Sequence, residues 1–232
     1  MRRIILIIAA LVVAPTLYGQ NIPQYRNDAV ELSAEYKQGN AFQQDLLLYA
    51  DMLSSTHPYY ADAKHRKGLE RRVRKVYKEC GKIEDVADFK LALARLAASL
   101  GDGHTAISYW SNLERIFPVR LSLDINQPAI VDVTSEEHRA LLGKEVKAVN
   151  GRPLTKILRS AREIVSADND VNFLNLVKEY LMFAEFWSFL DMSDERLTLT
   201  FADGSSAEVE AINKRELRIA QLQRNTQERV TA

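Results

Sequence analysis

The chain has 232 residues, enough for one large domain or two small ones with a sizeable core. It carries 31 Lys and Arg against 31 Asp and Glu, so no bulk charge favours nucleic acid or acidic partners. With 47% hydrophobic residues, 9 Gly and 6 Pro, the composition is typical of a folded globular protein and excludes a largely disordered one.

The amino terminus has the layout of an export signal. Two arginines precede an apolar run from Ile4 to Val13, which small and turn-forming residues follow. The run is shorter than the roughly 20 apolar residues of a membrane-spanning helix. We therefore predict a signal peptide over residues 1–19 and a periplasmic or secreted bacterial protein; an uncleaved amino-terminal anchor is the alternative.

Residues 20–103 show helical periodicity and predict a small helical bundle. Three amphipathic helices are separated by short connections. The residues of the second helix outside its apolar stripe are mostly basic, and the simplest interpretation is that they form a solvated face. We expect no membrane contact beyond the signal peptide. The single cysteine, Cys80, lies on an apolar stripe and is expected to be a buried thiol. The stripes consist of Phe42, Leu46, Tyr49 and Leu53; of Leu69, Val73, Val76, Tyr77 and Cys80; and of Phe89, Leu93, Leu96 and Leu100.

After Gly103 the apolar period changes from helical spacing to two. Strands are predicted over residues 117–125 and 129–133, and residues 196–212 read as a hairpin that turns at Asp203 and Gly204. An aromatic-rich helical stretch over residues 171–191 lies between these strands. The predicted fold class is α+β: a helical bundle, a mixed β/α domain over residues 104–212 with a helical insertion, and an exposed polar tail over residues 213–232.

The segment "LLGKEVKAVNGRPLTKIL" has the order of a PDZ-like core: a glycine, a strand, an Asn-Gly turn and a helix. Modules of this kind bind an extended peptide by adding it to the edge of a sheet. The candidate binding residues are Gly143, Val146, Val149, Asn150 and Gly151. An ordinary strand, turn and helix in a mixed domain is the alternative.

The segment "LGDGHTAISYW" holds the candidate catalytic residue, His104. Histidine exchanges a proton near neutral pH without a large pKa shift. Gly103 allows close approach of a backbone or substrate, and Asp102 and Thr105 can orient the imidazole. His104 is therefore a candidate general base, and a simple turn is the alternative.

The sequence provides no recognisable metal site or nucleophile to accompany that base. It has no HExxH motif, no cysteine pair and no second histidine at helical spacing, so we predict no metal and no cofactor. It also lacks a GxSxG motif and a Gly-Gly pair. Ser205 and Ser206 lie in the predicted hairpin turn, where turn formation is the favoured role.

Two stretches together carry a family resemblance. "DFKLALARLAASLGDGHT", followed about 40 residues later by "LGKEVKAVNGRPLTKIL", resembles the amino-terminal half of secreted bacterial tail-specific, or carboxy-terminal processing, serine proteases. "STHPYY" is similar to an element of the same family, in the branch of the tricorn protease core and the retinoid-binding protein of the photoreceptor matrix. The resemblance covers most of residues 41–212. It implies that His104 acts as general base for a serine in a later α/β domain, for which this sequence has no counterpart.

Three functional hypotheses follow. The chain is a truncated exported serine-peptidase homologue that is inactive alone; or a free-standing periplasmic module that binds peptides or proteins; or one chain of a split protease. The expected partners are a polypeptide substrate or ligand and a nucleophile-bearing domain or chain.

Overall fold

The computed structural model describes residues 39–107, 114–123, 128–133 and 136–215. The predicted signal peptide and most of the predicted tail lie outside these residues. The contacts divide the chain into two compact units, one up to Leu96 and one from Ala97 onward. The structure combines helices with small antiparallel sheets, which confirms the α+β fold class. No helix in the described ranges combines the length and hydropathy needed to cross a membrane.

The first unit is helical, as its periodicity predicts. Asn40 caps the first helix by accepting a hydrogen bond from the Gln43 N–H (2.9 Å), and the Gln43 side chain accepts one from the Asn40 N–H (2.9 Å). The same two side chains donate to the last carbonyls of the second helix, from Asn40 Nδ2 to Cys80 O (2.9 Å) and from Gln43 Nε2 to Tyr77 O (3.0 Å). The start of α1 is therefore tied to the end of α2. The helices are α1 (Ala41–Thr56), α2 (Ala63–Cys80) and α3 (Val86–Ala98), with a 3-10 turn at Pro58–Ala61.

The predicted apolar stripes form the core of this unit. Leu46 and Cys80 are fully buried, and Leu69, Phe89 and Leu93 are at most 3% exposed. Burial raises the pKa of the Cys80 thiol to about 11. The prediction of a buried thiol at Cys80 is confirmed.

The second unit contains all the described strands. The main sheet has the order β5-β4-β6-β7, and two further antiparallel pairs are β2-β3 and β1-β8. Backbone hydrogen bonds from Ile130 N to Lys144 O (3.1 Å) and from Val146 N to Pro128 O (2.8 Å) link β3 to the start of β4. The predicted strands and hairpin are confirmed. The strands are β1 (Arg115–Ile116), β2 (Val119–Ser122), β3 (Ala129–Val133), β4 (Val146–Val149), β5 (Arg152–Pro153), β6 (Arg196–Phe201), β7 (Ser206–Glu210) and β8 (Ile212–Asn213), and a 3-10 turn spans Glu136–Leu141.

The aromatic-rich stretch is two helices, not the one helical stretch that its periodicity predicts. After α4 (Leu154–Arg162), the chain forms α5 (Asp170–Tyr180) and α6 (Ala184–Ser188). Between them, Met182 O accepts a hydrogen bond from the Phe117 N–H (2.8 Å), and Phe183 forms a β-bridge with Ile116. The segment around β1 therefore uses backbone groups that a continuous helix would need for itself.

Candidate functional site

The turn that carries His104 is held by its own neighbours, as the sequence predicts. The Asp102 carboxylate accepts hydrogen bonds from the His104 N–H (3.0 Å) and from the Thr105 hydroxyl (2.6 Å). The Thr105 N–H donates to Asp102 O (3.1 Å) and closes the turn. An aspartate that bonds the backbone two residues later is a strong local turn former. The turn after α3 therefore follows from residues 102–105 themselves.

The imidazole of His104 lies beside the Asp102 carboxylate and is largely exposed to solvent. Its side chain is 85% exposed, and Nδ1 lies 3.4 Å from Asp102 Oδ1. That distance is within ion-pair range but longer than a hydrogen bond. An exposed imidazole beside a fixed carboxylate can exchange a proton with a group brought to it from outside.

Three side chains that sequence reasoning missed support the turn, two from the connection between α4 and α5 and one from the first turn of α5. The buried Ser166 hydroxyl lies 2.7 Å from Asp102 O and 3.2 Å from Ala97 O, and it donates toward these carbonyls. The Asp168 carboxylate accepts from the Gly103 N–H (2.8 Å) and from Asn172 Nδ2 (3.2 Å). The polar run around Asp168 predicts a loop. Its pairing with a residue 65 positions earlier has no local sequence signal.

Gly103 permits this close approach. A Cβ atom at position 103 would lie 2.6 Å from both Asp168 Oδ2 and Asn172 Nδ2, distances that real Cβ contacts do not show. The approach leaves Asp168 beside Asp102 and His104. One potential ligand atom from each of these three side chains lies within 4.8 Å of those of the other two. The three residues could therefore hold a metal ion.

The predicted binding residues build the sheet and its turns. Val146 and Val149 are fully buried, and Gly143, with φ of +79°, donates its N–H to Ile130 O (2.8 Å). Asn150 and Gly151 form the predicted turn, with φ of +49° and +72°. The assignment of these five residues to ligand binding stays a prediction.

The polar groups of Asn150 are engaged by β6. Its Oδ1 accepts a hydrogen bond from the Thr198 N–H (2.6 Å), and its own N–H donates to Thr198 O (2.8 Å). The side chain thus extends the backbone pairing of the sheet by one more hydrogen bond. This role explains an asparagine at position 150 without a ligand.

A serine and a lysine meet at the β6-β7 hairpin, a contact that the sequence does not predict. Lys144 Nζ donates to Ser205 Oγ (2.8 Å) and to Asp203 Oδ2 (2.9 Å), and the Ser205 hydroxyl donates to Asp203 Oδ1 (2.5 Å). The hydrogen bonds from Ser205 and then Lys144 hold the pKa of Asp203 well below its usual range. An ammonium that donates to a hydroxyl cannot remove its proton. These three side chains therefore stabilise the turn.

The comparisons with known proteins show that this chain is similar in fold to solved structures. No protein-family model matches the chain, and no curated protein matches it in sequence. Solved structures of CPAF, a chlamydial tail-specific protease, are similar. The mature enzyme has a TM-score of 0.53 at 16% identity, a CPAF mutant has 0.57 at 15%, and the mature enzyme complexed with lactacystin has 0.56 at 17%.

The match covers 74% of this chain but only 33–34% of the CPAF chains. The chain therefore spans about one third of the length of these neighbours. The likeness shows a fold similar to part of a protease fold, and membership of the protease family stays a prediction. The branch of the family stays a prediction.

Proposed function

We propose that this chain supplies the general base of a serine peptidase whose nucleophile comes from another segment or another chain. One observation carries the proposal: an exposed histidine, His104, stands beside a fixed carboxylate on a fold similar to one third of a tail-specific protease. The family resemblance of the sequence points to the same residue. This role of the chain is the same whether it is a truncated peptidase homologue or one chain of a split peptidase.

In the proposed reaction His104 takes the proton of a serine hydroxyl as its oxygen attacks a peptide carbonyl. The imidazolium then returns the proton to the leaving amine. The anionic Asp102, 3.4 Å from Nδ1, stabilises the imidazolium between these two steps. Two of the described serines are otherwise engaged, because Ser166 is buried against backbone carbonyls and Ser205 donates to Asp203.

The first test is the activity of the purified chain alone. We expect no hydrolysis of fluorescently labelled casein and no labelling by a fluorophosphonate probe, because no serine hydroxyl is hydrogen-bonded to His104 in the described part of the chain. Hydrolysis that disappears in the His104→Ala variant would contradict the proposal, since the chain would then hold a complete site.

The second test supplies the nucleophile. The chain is mixed or co-expressed with the products of the neighbouring reading frames, and casein hydrolysis is measured. We expect activity that the His104→Gln variant loses and the His138→Gln variant keeps. His138 is a matched control because it is a histidine of the 3-10 turn at Glu136–Leu141 and not of the turn of residues 102–105. Activity that survives His104→Gln would overturn the assigned role.

Peptide binding is a second candidate function, favoured by the open edge of the main sheet. Among the described strands β7 pairs only with β6. The register pairs Leu199 with Ala207, and the Phe201 N–H donates to Ser205 O, so Ser206, Glu208 and Glu210 direct their backbone N–H groups away from β6. An extended peptide added here would use those groups.

Proline at position 208 tests this edge without removing a hydrogen bond to β6. In a peptide-library screen the wild type and Glu208→Ala are expected to retain ligands that Glu208→Pro loses. Equal binding by the proline variant would exclude this edge. The absence of any ligand at high micromolar peptide concentration would exclude the binding function.

We also propose export to the periplasm or the medium, on the layout of residues 1–19. A fusion of these residues to alkaline phosphatase, which folds only after export, is expected to be active. A matched fusion in which the apolar run carries two added charged residues serves as the control. An inactive fusion with the unchanged segment would contradict export.

A further inference from the structure

We propose that Asp102, His104 and Asp168 form a binding site for one Zn²⁺ ion. They bring one imidazole nitrogen and two carboxylates together, and one potential ligand atom of each lies within 4.8 Å of the others. Imidazole nitrogen and carboxylate oxygen are ligands that zinc takes in proteins, and three protein ligands leave a fourth position for water. The mixed donor set favours zinc over Mg²⁺ or Ca²⁺, which prefer oxygen alone.

The spacing of the first two ligands is compatible with a shared metal ion. Ligand atoms bonded to tetrahedral zinc at about 2.0–2.1 Å are about 3.3 Å from each other. His104 Nδ1 and Asp102 Oδ1 are 3.4 Å apart, too far for a hydrogen bond. An ion between them needs little movement of either side chain.

The two carboxylate ligands are positioned by hydrogen bonds from groups that would not bind the metal, as metal sites require. Asp102 is fixed by the Thr105 hydroxyl (2.6 Å), and Asp168 by the Gly103 N–H (2.8 Å) and Asn172 Nδ2 (3.2 Å). Asp102 Oδ1 also accepts a hydrogen bond from the His104 N–H (3.0 Å). Two of the ligands come from the turn after α3 and the third from the α4–α5 connection, so the site forms only in the folded chain.

Glycine at position 103 accommodates the third ligand. A Cβ atom there would lie 2.6 Å from Asp168 Oδ2, so a larger residue would require the Asp168 side chain to shift. The backbone at 103 carries no positive φ that would demand glycine for its own sake. Glycine therefore serves the approach of Asp168 to the turn.

Zinc binding does not depend on the proposed peptidase role. If His104 is also the base, a Zn²⁺ ion bound to Nδ1 would compete with the proton and suppress base catalysis. His104 could then bind zinc or act as the base, but not both at once. The binding experiment below uses no enzymatic readout, and its result stands apart from the activity tests.

The test is titration calorimetry of the tag-free full chain with ZnCl₂ at pH 7.5, together with thermal unfolding with and without zinc. The wild type is expected to bind one equivalent and to unfold at a higher temperature with zinc present, because the ion binds only the folded state. His104→Gln and Asp168→Asn are each expected to lower the affinity by about tenfold or more. His138→Gln and Asp132→Asn are the matched controls for loss of an imidazole and a carboxylate, and they are expected to bind as the wild type does.

Gly103→Ala keeps all three ligands but displaces Asp168, so it is expected to weaken binding as well. The His104 side chain is 85% exposed, so the His104→Gln variant is expected to fold. This variant therefore still tests the proposal if another variant unfolds. Co²⁺ in place of zinc is expected to give the intense visible absorption of a tetrahedral ion, which His104→Gln loses. A wild type that neither binds zinc nor gains thermal stability would overturn the proposal. So would His104→Gln binding with wild-type affinity.

Discussion

Asn150 offers a sharp test of whether a predicted binding residue serves the fold. The residue holds φ of +49°, and its Oδ1 accepts a hydrogen bond of 2.6 Å from the Thr198 N–H. A left-handed conformation costs an ordinary L-residue about 1 kcal/mol, whereas asparagine and glycine tolerate it. A lost hydrogen bond costs about another 1 kcal/mol.

Three substitutions separate these contributions to the free energy of unfolding. Asn150→Gly keeps the conformation and loses the side-chain bond, so it is expected to cost about 1 kcal/mol. Asn150→Ala loses both and is expected to cost about 2 kcal/mol. Asn150→Asp keeps an acceptor and the tolerance for positive φ, and is expected to stay within about 0.5 kcal/mol of the wild type.

The assay is urea unfolding at 25 °C followed by tryptophan fluorescence, to which the buried Trp187 of the same unit contributes. The midpoints should fall in the order wild type and Asp, then Gly, then Ala. Equal losses for Gly and Ala would refute the conformational argument. A wild-type midpoint for Asn150→Ala would refute the role of the side-chain bond and leave Asn150 available to a ligand.

Three further predictions concern the helical unit. Tyr49 Oη is buried with no hydrogen-bond partner among the described residues, and burial raises the pKa of Tyr49 well above its usual range, so Tyr49→Phe is expected to leave stability unchanged or raise it by up to about 1 kcal/mol in urea unfolding. A loss of stability would instead reveal a partner. Gly68→Ala places a Cβ in α2 at 3.7 Å from Arg72 Nη1, an ordinary contact, and is expected to stabilise by about 0.5–1 kcal/mol; lower thermal stability would contradict this. The Cys80 thiol, fully buried and with its pKa raised to about 11, is expected to react with Ellman's reagent at pH 8 far more slowly in the native protein than in urea, and equal rates would show that the thiol is accessible.

Elements that depend on residues close together in the sequence can be predicted from the sequence. The stripes of α1, α2 and α3, the strand alternation around Val119 and the hairpin at Asp203 each arise from residues a few positions apart. The periodicity over residues 171–191 is equally clear but predicts one helical stretch where two helices form. Side-chain spacing reports which face is buried. It does not report that β1 takes the backbone groups at Met182 and Phe183.

The candidate site divides in the same way. Asp102, His104 and Thr105 make their turn with each other, so the sequence by itself determined that a turn carrying a histidine follows α3. Only the tertiary structure decided that Asp168 would stand beside it, because a contact across 65 residues depends on how the intervening strands and helices pack. Local chemistry therefore determines the turn of residues 102–105, and the packing of distant elements decides which groups meet the histidine there.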